Sequence, residues 1–216
     1  MLTPEQRVPG GDQDASVYWR DVVYGPERLE NYWNDRGAHR TELVRAIVDT
    51  CPDADSALEV GCHVGTNLRL LARAWPWAIF YGCDINGEAI AYGQERFLEL
   101  GLPPVFLERA SIHSYVGAQR KADVVFSCYA LAYTAPADLP GALQGLLAAA
   151  QRAVVIAEPM LVDTAWPTAE LVNPLPEWRH NYAGLLARLG YGDRLVIREL
   201  EAPTTRINAI LTASMA

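Results

Sequence analysis

Two acidic residues and a short glycine turn stand where two successive apolar runs end. The run SALEV leads into Gly61-Cys62-His63-Val64-Gly65, with Glu59 just before the turn, and the next run, AIFYGCD, ends in Asp84. Glycine lets the backbone turn sharply and approach a ligand closely, and a carboxylate at the end of the neighbouring strand can accept hydrogen bonds from both hydroxyls of a ribose. The third glycine of the dinucleotide-binding pattern GxGxxG is absent. The spacing favours a site for a nucleotide-like cofactor over a turn that merely packs a helix on a sheet.

Further along the chain, four residues carry groups that could move a proton or contact a substrate. His180 is the preferred general base, because it follows the fifth apolar run, where parallel strands open into a ligand crevice, and His113 is the second candidate. Tyr129, with Tyr133, follows the fourth run and is expected to form a substrate wall. For each histidine, capping a loop or binding a buried carbonyl is the open alternative. The histidines lack the spacing of metal ligands, so we expect no metal.

The elements that must position these residues are read from apolar runs that alternate with helical segments. This alternation predicts a parallel sheet with crossover helices. The predicted strands are SALEV, AIFYGCD, PVFLERA, ADVVFSC and RAVVIAE, followed by DRLVIREL and RINAILTAS near the end of the chain. The predicted helices among them are TNLRLLARAW, GEAIAYGQERFLELG, PADLPGALQGLLAAA and EWRHNYAGLLARLG, the last of which contains His180.

The N-terminal segments have a different character. Residues 1–16 combine prolines, glycines and charges without periodicity, which predicts a mobile tail. Residues 17–50 are predicted to form a helical lid, because 17–35 is dense in aromatic residues that could cover a pocket or anchor a docked helix, and HRTELVRAIVDT has helical spacing. Residues 51–216 are then expected to form one α/β domain.

Composition and net charge restrict which kinds of partner the protein is expected to bind. Against 26 Asp and Glu there are 18 Lys and Arg, and the net charge of -8 opposes binding to nucleic acid or to an anionic membrane. No apolar stretch reaches the roughly 20 residues of a membrane helix. The four cysteines form no CxxC pair, and the first residues are too polar for a signal peptide, so we expect a cytoplasmic protein.

With its acidic residue followed by a glycine turn, Glu59 to Gly65, and with Asp84 after the second run, the chain resembles the class I S-adenosylmethionine-dependent methyltransferases. The resemblance implies a single-domain, Rossmann-like, doubly wound sheet of seven strands in the order 3-2-1-4-5-7-6, with the last strand antiparallel. It implies that the glycine turn holds the methionine part of the cofactor, Asp84 the ribose and residues 110–112 the adenine. The segment 123–139 then resembles the motif that lines the methyl-transfer site. The cofactor-binding residues expected on this basis are Glu59, Gly61, Cys62, His63, Gly65, Asp84, Ile85, Ser111, Ile112, Cys128 and Trp33.

Individual residues in this set differ in what they are expected to do. Glu59 is expected to order the glycine turn or to bind the amino group of the cofactor, and His63 stands where many members of the family have glycine. Arg36 or Arg40 could pair with the cofactor's carboxylate, although a solvated charge at a helix end is favoured for both. Cys128 is expected to pack beside the cofactor rather than to act as a nucleophile.

The function implied is methyl transfer from S-adenosylmethionine to an O, N or C atom of a small-molecule acceptor, with S-adenosylhomocysteine as the product. The hypothesis is a biosynthetic enzyme for a specialised metabolite, because no further domain is expected that could grip a macromolecule. His180, Tyr129 and His113 are the candidate catalytic residues. The alternatives are a non-methylating S-adenosylmethionine-binding homologue, either a cyclase or a protein that uses the cofactor structurally, and then an NAD(P)-dependent dehydrogenase. A homodimer is left open.

Overall fold

The computed structural model describes residues 15–116, 120–162, 169–171, 177–200 and 207–215. Most of the predicted mobile tail, residues 1–14, lies outside the described residues. Ala15 and Ser16 belong to the first helix, so helical structure begins earlier than the predicted position 17.

Helices and strands alternate through most of the described chain. The helices are α1 (Ala15–Asp21), α2 (Pro26–Asn34), α3 (Ala38–Thr50), α4 (Thr66–Ala74), α5 (Gly87–Leu100), α6 (Ile112–Val116), α7 (Leu139–Ala149) and α8 (Tyr182–Leu186). The strands are β1 (Ser56–Val60), β2 (Ile79–Asp84), β3 (Val105–Arg109), β4 (Ala122–Cys128), β5 (Ala150–Glu158), β6 (Ala169–Leu171), β7 (Trp178–His180), β8 (Leu195–Glu199) and β9 (Ala209–Ser214). Among the described helices, none has the length and apolarity needed to cross a bilayer.

Seven strands form the main sheet, in the order β3-β2-β1-β4-β5-β9-β8. The first five are parallel to one another, and β9 runs antiparallel to both β5 and β8. Because β6 and β7 pair with each other outside this sheet, β8 and β9 are its sixth and seventh strands in chain order. The predicted Rossmann-like order 3-2-1-4-5-7-6 with an antiparallel last strand is therefore confirmed.

The central strands β1, β4 and β5 are buried over almost their whole length. Both faces of the sheet are covered: α3, α4 and α5 pack on one face, and α7 and α8 pack on the other. Strands covered on both faces read as continuous apolar runs, which is why SALEV and ADVVFSC were recognisable in the sequence. Connections leave β1 and β4 in opposite directions, so a crevice forms between the carboxyl ends of these neighbours.

One predicted helix is shorter than expected. The segment EWRHNYAGLLARLG is helical only from Tyr182, because Trp178–His180 pair with Ala169–Leu171 as strand β7. Asn181 ends this strand and caps α8, since its side-chain oxygen accepts a hydrogen bond from the Gly184 N–H at 2.7 Å. The helical periodicity thus ran through a three-residue strand, which pairs with the short strand that precedes it in the chain.

Asn86, which caps α5, and Glu88 within α5 hold α1 and the residues after it against the body of the protein. The Asn86 amide donates to the carbonyl oxygens of Trp19 and Val22, at 3.0 and 2.9 Å. The Glu88 carboxylate accepts a hydrogen bond of 2.7 Å from the Tyr24 N–H. These bonds recognise backbone groups, so they fix the position of the N-terminal segment whatever its side chains are.

Helix α4 holds α2 in the same way. The Thr66 hydroxyl donates to the carbonyl oxygen of Tyr32, and the Arg69 guanidinium to that of Trp33, both at 2.7 Å. The last carbonyl groups of a helix have no partner within the helix, so they need such donors where water cannot reach them. The N-terminal helices therefore lie fixed over the crevice.

Candidate functional site

A cavity of about 950 Å³ lies at the carboxyl ends of β1 to β4. The loops after these four strands line it, together with residues from α1, α2 and α3 and the pair Glu177 and Trp178. The part lined from β1, β2, β3, α2 and α3 is called the β1–β3 half below. The part lined by Trp19, Tyr129, Tyr133, Asp138, Glu177 and Trp178 is called the β4 half.

The glycine turn after β1 depends on glycine at two positions. Gly61 has φ 72°, and a Cβ atom there would lie 2.1 Å from the Cβ of Ala130. Gly65 has φ 83°, and a Cβ atom there would lie 2.7 Å from the ring of Phe97. Gly61 lines the cavity, whereas Gly65 is not among the described residues that do so. The turn therefore packs closely against neighbouring residues and also forms part of the cavity wall.

Glu59 places an open carboxylate oxygen in the β1–β3 half. Its side chain is 1% exposed, and its Oε1 accepts a hydrogen bond from Asn67 Nδ2 at 2.6 Å. Its Oε2 has no hydrogen-bond partner among the described residues. Burial raises the pKa of Glu59 to about 8, against the lowering effect of the Asn67 hydrogen bond. A buried acceptor without a donor is costly, so this oxygen is suited to a ligand that donates.

A guanidinium lies next to this carboxylate. Arg40 Nη1 donates to Asn67 Oδ1, and Arg40 Nε donates to Asp35 Oδ2, each at 2.8 Å. Arg40 lines the cavity, and Arg36 is not among the described lining residues. The sequence favoured a solvated charge at this helix end, and the fold instead turns Arg40 inward. Asn67 was missed altogether, since one asparagine in a helix gives no signal of its position.

Asp84 lies on the next strand end and is largely occupied by backbone donors. Its Oδ2 accepts from the His63 N–H and its Oδ1 from the Asn86 N–H, both at 2.9 Å. Burial raises the pKa of Asp84, and the backbone hydrogen bonds counteract this rise. Each carboxylate oxygen has two lone pairs, so both can accept a further hydrogen bond from a ligand in the cavity. Ile85 lines the cavity beside it.

His63 packs the glycine turn against α2. Its ring contacts those of Tyr24 and Tyr32, with centroid distances of 4.8 and 4.4 Å, and the two tyrosine rings also contact each other. Neither ring nitrogen has a hydrogen-bond partner among the described residues. Burial, with the nearby charges of Arg40 and Arg28, lowers the pKa of His63 to about 4, so the ring is neutral at pH 7. Its φ of 52° lies in the left-handed region that favours glycine.

The loop after β3 closes the far end of the β1–β3 half. Ala110, Ser111 and Ile112 line the cavity there. The Ser111 backbone N–H and hydroxyl are engaged with the Ser114 hydroxyl, at 3.1 and 2.9 Å. His113, a candidate general base, belongs to α6, and its side chain lies outside the described part of the structure.

Two cysteines line the cavity without showing any sign of activation. Cys62 and Cys128 are both buried at strand ends. Burial raises the pKa of Cys128 to about 12, and it raises that of Cys62 as well. A thiol in this range remains protonated at neutral pH, so these residues provide packing surface and not nucleophiles.

The loop after β4 is held by a buried carboxylate. Glu158 Oε1 accepts hydrogen bonds from the Ser127 hydroxyl at 2.6 Å and from the N–H groups of Ala130 and Leu131 at 2.9 and 3.0 Å. Its Oε2 accepts from the N–H of Ala132 at 3.2 Å. Burial raises the pKa of Glu158 to about 7, and these four donors work against that rise. No local pattern indicated that the residue ending β5 would anchor this loop.

Aromatic rings form the wall of the β4 half. Tyr129, with φ 57°, follows β4 directly, and its ring meets that of Tyr133 edge to face at 5.8 Å between centroids. The indole of Trp19, which comes from α1, lies 4.9 Å from the Tyr133 ring. The expected substrate wall of Tyr129 and Tyr133 thus lines the cavity, and Trp19 joins it from the N-terminal segment.

Besides Gly65, two predicted site residues are not among the described residues that line the cavity. His180 is buried, with Nε2 3.0 Å from the carbonyl oxygen of Thr134, and burial lowers its pKa to about 4. Trp33 packs its ring edge to face on Phe97, at 5.0 Å, beneath the Arg69 guanidinium. Neither is among the described residues that line the cavity. His180 has the geometry of the alternative in which a histidine binds a buried carbonyl.

No candidate metal centre appears in the portion of the chain that the structure describes. There, histidine, cysteine, aspartate and glutamate side chains form no group of three or more that could hold an ion.

Sequence comparisons match the central part of the chain. Residues 57–152 match the family model described as a methyltransferase domain. Malonyl-[acyl-carrier protein] O-methyltransferase of Magnetococcus marinus is 34% identical over 106 residues, which cover 49% of this chain and 38% of that protein. The protein of the same name from Herminiimonas arsenicoxydans is 31% identical over 72 residues, covering 33% of this chain and 26% of its own length. The chain therefore spans well under half the length of these curated relatives.

Structural comparison extends the similarity to almost the whole chain. Magnesium protoporphyrin IX methyltransferase from Synechocystis PCC 6803, solved with bound S-adenosylmethionine, superposes with a TM-score of 0.66 at 16% identity and covers 97% of this chain and 100% of its own. An O-methyltransferase family protein from Burkholderia thailandensis has a TM-score of 0.64 at 14% identity, covering 88% of this chain and 60% of its own. At such identities the likeness concerns the fold alone. Residues 57–152 therefore resemble a methyltransferase domain, and the order of the seven-stranded sheet is the one expected of the class I S-adenosylmethionine-dependent methyltransferases.

Proposed function

We propose that this protein binds S-adenosylmethionine in the β1–β3 half of the cavity and transfers its methyl group to an O, N or C atom of a small molecule in the β4 half. The observation that carries this proposal is the open Oε2 of buried Glu59, which lies beside the glycine turn and next to Asp84. This arrangement leaves a buried acceptor without a donor, and it does so where the fold binds ligands.

The methionine end of the cofactor fits the charges around the glycine turn. Its ammonium group would donate to Glu59 Oε2, and its carboxylate would lie near the Arg40 guanidinium, which Asn67 and Asp35 already orient. Opposite charges then meet inside a largely desolvated pocket, where such hydrogen bonds are strong. The unpartnered Tyr24 hydroxyl, which also lines the cavity, is a further donor for this end.

The nucleoside end fits the two neighbouring strand ends. Asp84 would accept hydrogen bonds from the ribose hydroxyls, while its existing bonds to backbone N–H groups fix its orientation. Ser111 and Ile112 would flank the adenine ring, with Ile85 between ribose and base. The lining of one continuous cavity supports each of these roles.

When bound, the cofactor supplies an electrophilic methyl group on a sulfonium. The protein's own contribution is to align the acceptor with that methyl group and to keep water away, which is the main source of rate enhancement in such a displacement. Tyr129 is the candidate catalytic residue that lines the cavity, and His113 and His180 remain predictions, His180 with the weakest support from the geometry.

Several features support a small acceptor. A protein of similar fold is named for the small molecule magnesium protoporphyrin IX, and the cavity is lined by α1 and by the loop after β4. The net charge of -8 disfavours nucleic acid and anionic membranes as partners. A cytoplasmic location and a role in biosynthesis belong to the same proposal, which the four free thiols support.

Calorimetric titration tests the cofactor assignment. We expect micromolar binding of S-adenosylmethionine and S-adenosylhomocysteine, and no comparable binding of NAD or NADP. Asp84→Ala should abolish binding of both adenosyl ligands, and Asp193→Ala, at an exposed aspartate away from the cavity, is the matched control. Wild-type affinity in Asp84→Ala would refute the ribose assignment, and binding of NAD alone would refute the methyltransferase function.

A further inference from the structure

Two residues other than glycine have a left-handed backbone conformation in the part of the chain that the structure describes. They are His63, with φ 52°, and Tyr129, with φ 57°. Both line the cavity, His63 in the β1–β3 half and Tyr129 in the β4 half. This conformation is costly for a residue that has a Cβ atom, so it persists only where the surroundings impose it.

The backbone around Tyr129 is held by two consecutive residues at the end of β5. The Tyr129 N–H donates to the carbonyl oxygen of Ala157 at 3.1 Å and so continues the pairing of β4 with β5. The next N–H, that of Ala130, donates to the carboxylate of Glu158 at 2.9 Å. The backbone changes direction between these two bonds, at Tyr129. The Glu158 side chain therefore helps to impose the left-handed conformation.

The same carboxylate holds the short turn that carries Tyr133. This turn, Leu131–Tyr133, begins with N–H groups that have no partner within it. Glu158, which is 0% exposed, accepts hydrogen bonds from the N–H groups of Leu131 and Ala132 at 3.0 and 3.2 Å. Both tyrosines of the aromatic wall in the β4 half, Tyr129 and Tyr133, thus depend on one buried side chain for their backbone positions.

The loop that Glu158 holds also lies against the β1–β3 half. A Cβ atom on Gly61 would lie 2.1 Å from the Cβ of Ala130, so the residue after Tyr129 is in direct contact with the glycine turn. Closely packed groups pass a displacement on to their neighbours. Glu158 therefore fixes the aromatic wall relative to the turn that would hold the methionine part of the cofactor.

We propose that Glu158 is a positioning residue for methyl transfer, which holds Tyr129 in place beside the glycine turn and so aligns the acceptor with the bound cofactor. This inference rests on the proposed function. Glu158 is not among the described residues that line the cavity, so its effect on the reaction passes through Tyr129. Alignment of two bound reactants is the main contribution that a protein makes to such a displacement.

A cycle of stability measurements tests whether Glu158 imposes the conformation of Tyr129. Tyr129→Gly relieves the left-handed backbone and Tyr129→Ala does not, so the glycine variant should have a midpoint of thermal unfolding about 2–4 °C higher. When Glu158→Ala is added to both variants, the loop is released and this difference should disappear. The pair His63→Gly and His63→Ala, at the other left-handed position, is the matched control, because its difference should persist with Glu158→Ala.

Two ligands that differ only at sulfur test whether this conformation serves the reaction. S-adenosylmethionine carries a methyl group and a positive charge that S-adenosylhomocysteine lacks, so the ratio of their dissociation constants is insensitive to a general loss of structure. Aromatic rings stabilise a neighbouring cation. Tyr129→Leu and Glu158→Ala should therefore each weaken binding of S-adenosylmethionine roughly threefold relative to S-adenosylhomocysteine, and the double variant should weaken it no further. Glu158→Gln, whose amide oxygen can accept the three hydrogen bonds made to Oε1, should keep the wild-type ratio.

Two results would overturn the positioning role. One is a difference between Tyr129→Gly and Tyr129→Ala that persists with Glu158→Ala, and the other is an unchanged ratio of dissociation constants in Glu158→Ala. If Glu158→Ala does not fold, Glu158→Asp, whose carboxylate is one methylene shorter, takes its place in both measurements. Failure of the unmodified protein to bind either ligand would instead overturn the proposed function, and the stability cycle does not depend on that result.

Discussion

Each half of the cavity depends on a buried glutamate, and the two glutamates have different roles. Glu158 holds the loop of the β4 half and is satisfied by four donors from that loop and from Ser127. Glu59, in the β1–β3 half, has one donor in Asn67 and keeps the other oxygen open. Both residues end up buried beside parallel strand ends, and burial raises the pKa of both. The number of donors that the protein itself supplies therefore distinguishes a structural carboxylate from one available to a ligand.

The largest expected effect is the loss of stability when Glu158 is replaced. Glu158→Ala leaves three backbone N–H groups and a hydroxyl buried without an acceptor, and we expect a loss of about 3–5 kcal/mol in the free energy of unfolding. Urea denaturation measures this loss. The matched variant Glu59→Ala should cost less, because only the Asn67 amide loses its acceptor. A smaller loss for Glu158→Ala than for Glu59→Ala would break the comparison.

The pH dependence of the free energy of unfolding should reveal how much ionisation of the buried Glu59 carboxylate destabilises the folded protein. The pKa of Glu59 is about 8 in the folded protein and 4.5 in a model peptide, so the folded state binds this proton more tightly. Its contribution to stability is therefore complete below pH 4.5 and is lost as the pH rises toward 8. Relative to wild type, Glu59→Gln should be more stable at pH 8 than at pH 5, by up to roughly 1.4 kcal/mol for each unit of pKa shift.

Denaturation of wild type and Glu59→Gln at both pH values isolates this contribution. Glu158 and the buried histidines titrate in both proteins and cancel in the difference. A difference between the two proteins that does not change with pH would mean that Glu59 is ionised in the folded protein without a ligand.

A smaller effect is expected on cofactor binding. Glu59, whose pKa is about 8 without a ligand, can release its proton and become a charged acceptor when an ammonium group binds, whereas glutamine stays neutral. The dissociation constant of Glu59→Gln for S-adenosylmethionine should therefore rise about tenfold, which corresponds to roughly 1.4 kcal/mol. Calorimetry measures this change. Glu158→Gln should alter the dissociation constant much less, because its carboxylate is turned toward the loop after β4. Similar rises in the dissociation constant for the two variants would show that the open oxygen of Glu59 contributes no more to cofactor binding than the fully bonded carboxylate of Glu158.

The smallest effect concerns His63, where two contributions oppose each other. His63→Gly relieves a left-handed backbone conformation but removes the ring that packs on Tyr24 and Tyr32, so we expect a net change in the free energy of unfolding close to zero. His63→Ala loses the ring and keeps the strain, and it should be less stable than His63→Gly by about 1 kcal/mol. Thermal unfolding of the pair measures the difference, and a more stable alanine variant would contradict it.

The fold was predictable because its signals are local. SALEV and ADVVFSC appear as strands β1 and β4 with their predicted bounds, since strands covered on both faces need uninterrupted apolar residues. Strand β7 was not predicted, because three residues carry too little pattern and its partner β6 lies beyond a loop. The neighbourhood of His180 was therefore assigned to a helix, and its placement followed that error.

Within the site, the sequence by itself determined the backbone framework. The glycine turn, Glu59, Asp84 and Tyr129 were found because they stand at strand ends, and the carboxyl ends of parallel strands must meet at one edge of a sheet. Tertiary structure alone decided which side chains from elsewhere reach that edge. It turned Arg40 and Trp19 inward, buried Trp33 against Phe97 and brought Glu158 under the loop after β4. These outcomes depend on how helices pack and on which donors a buried carboxylate finds, and both involve residues far apart in sequence whose meeting no local pattern records.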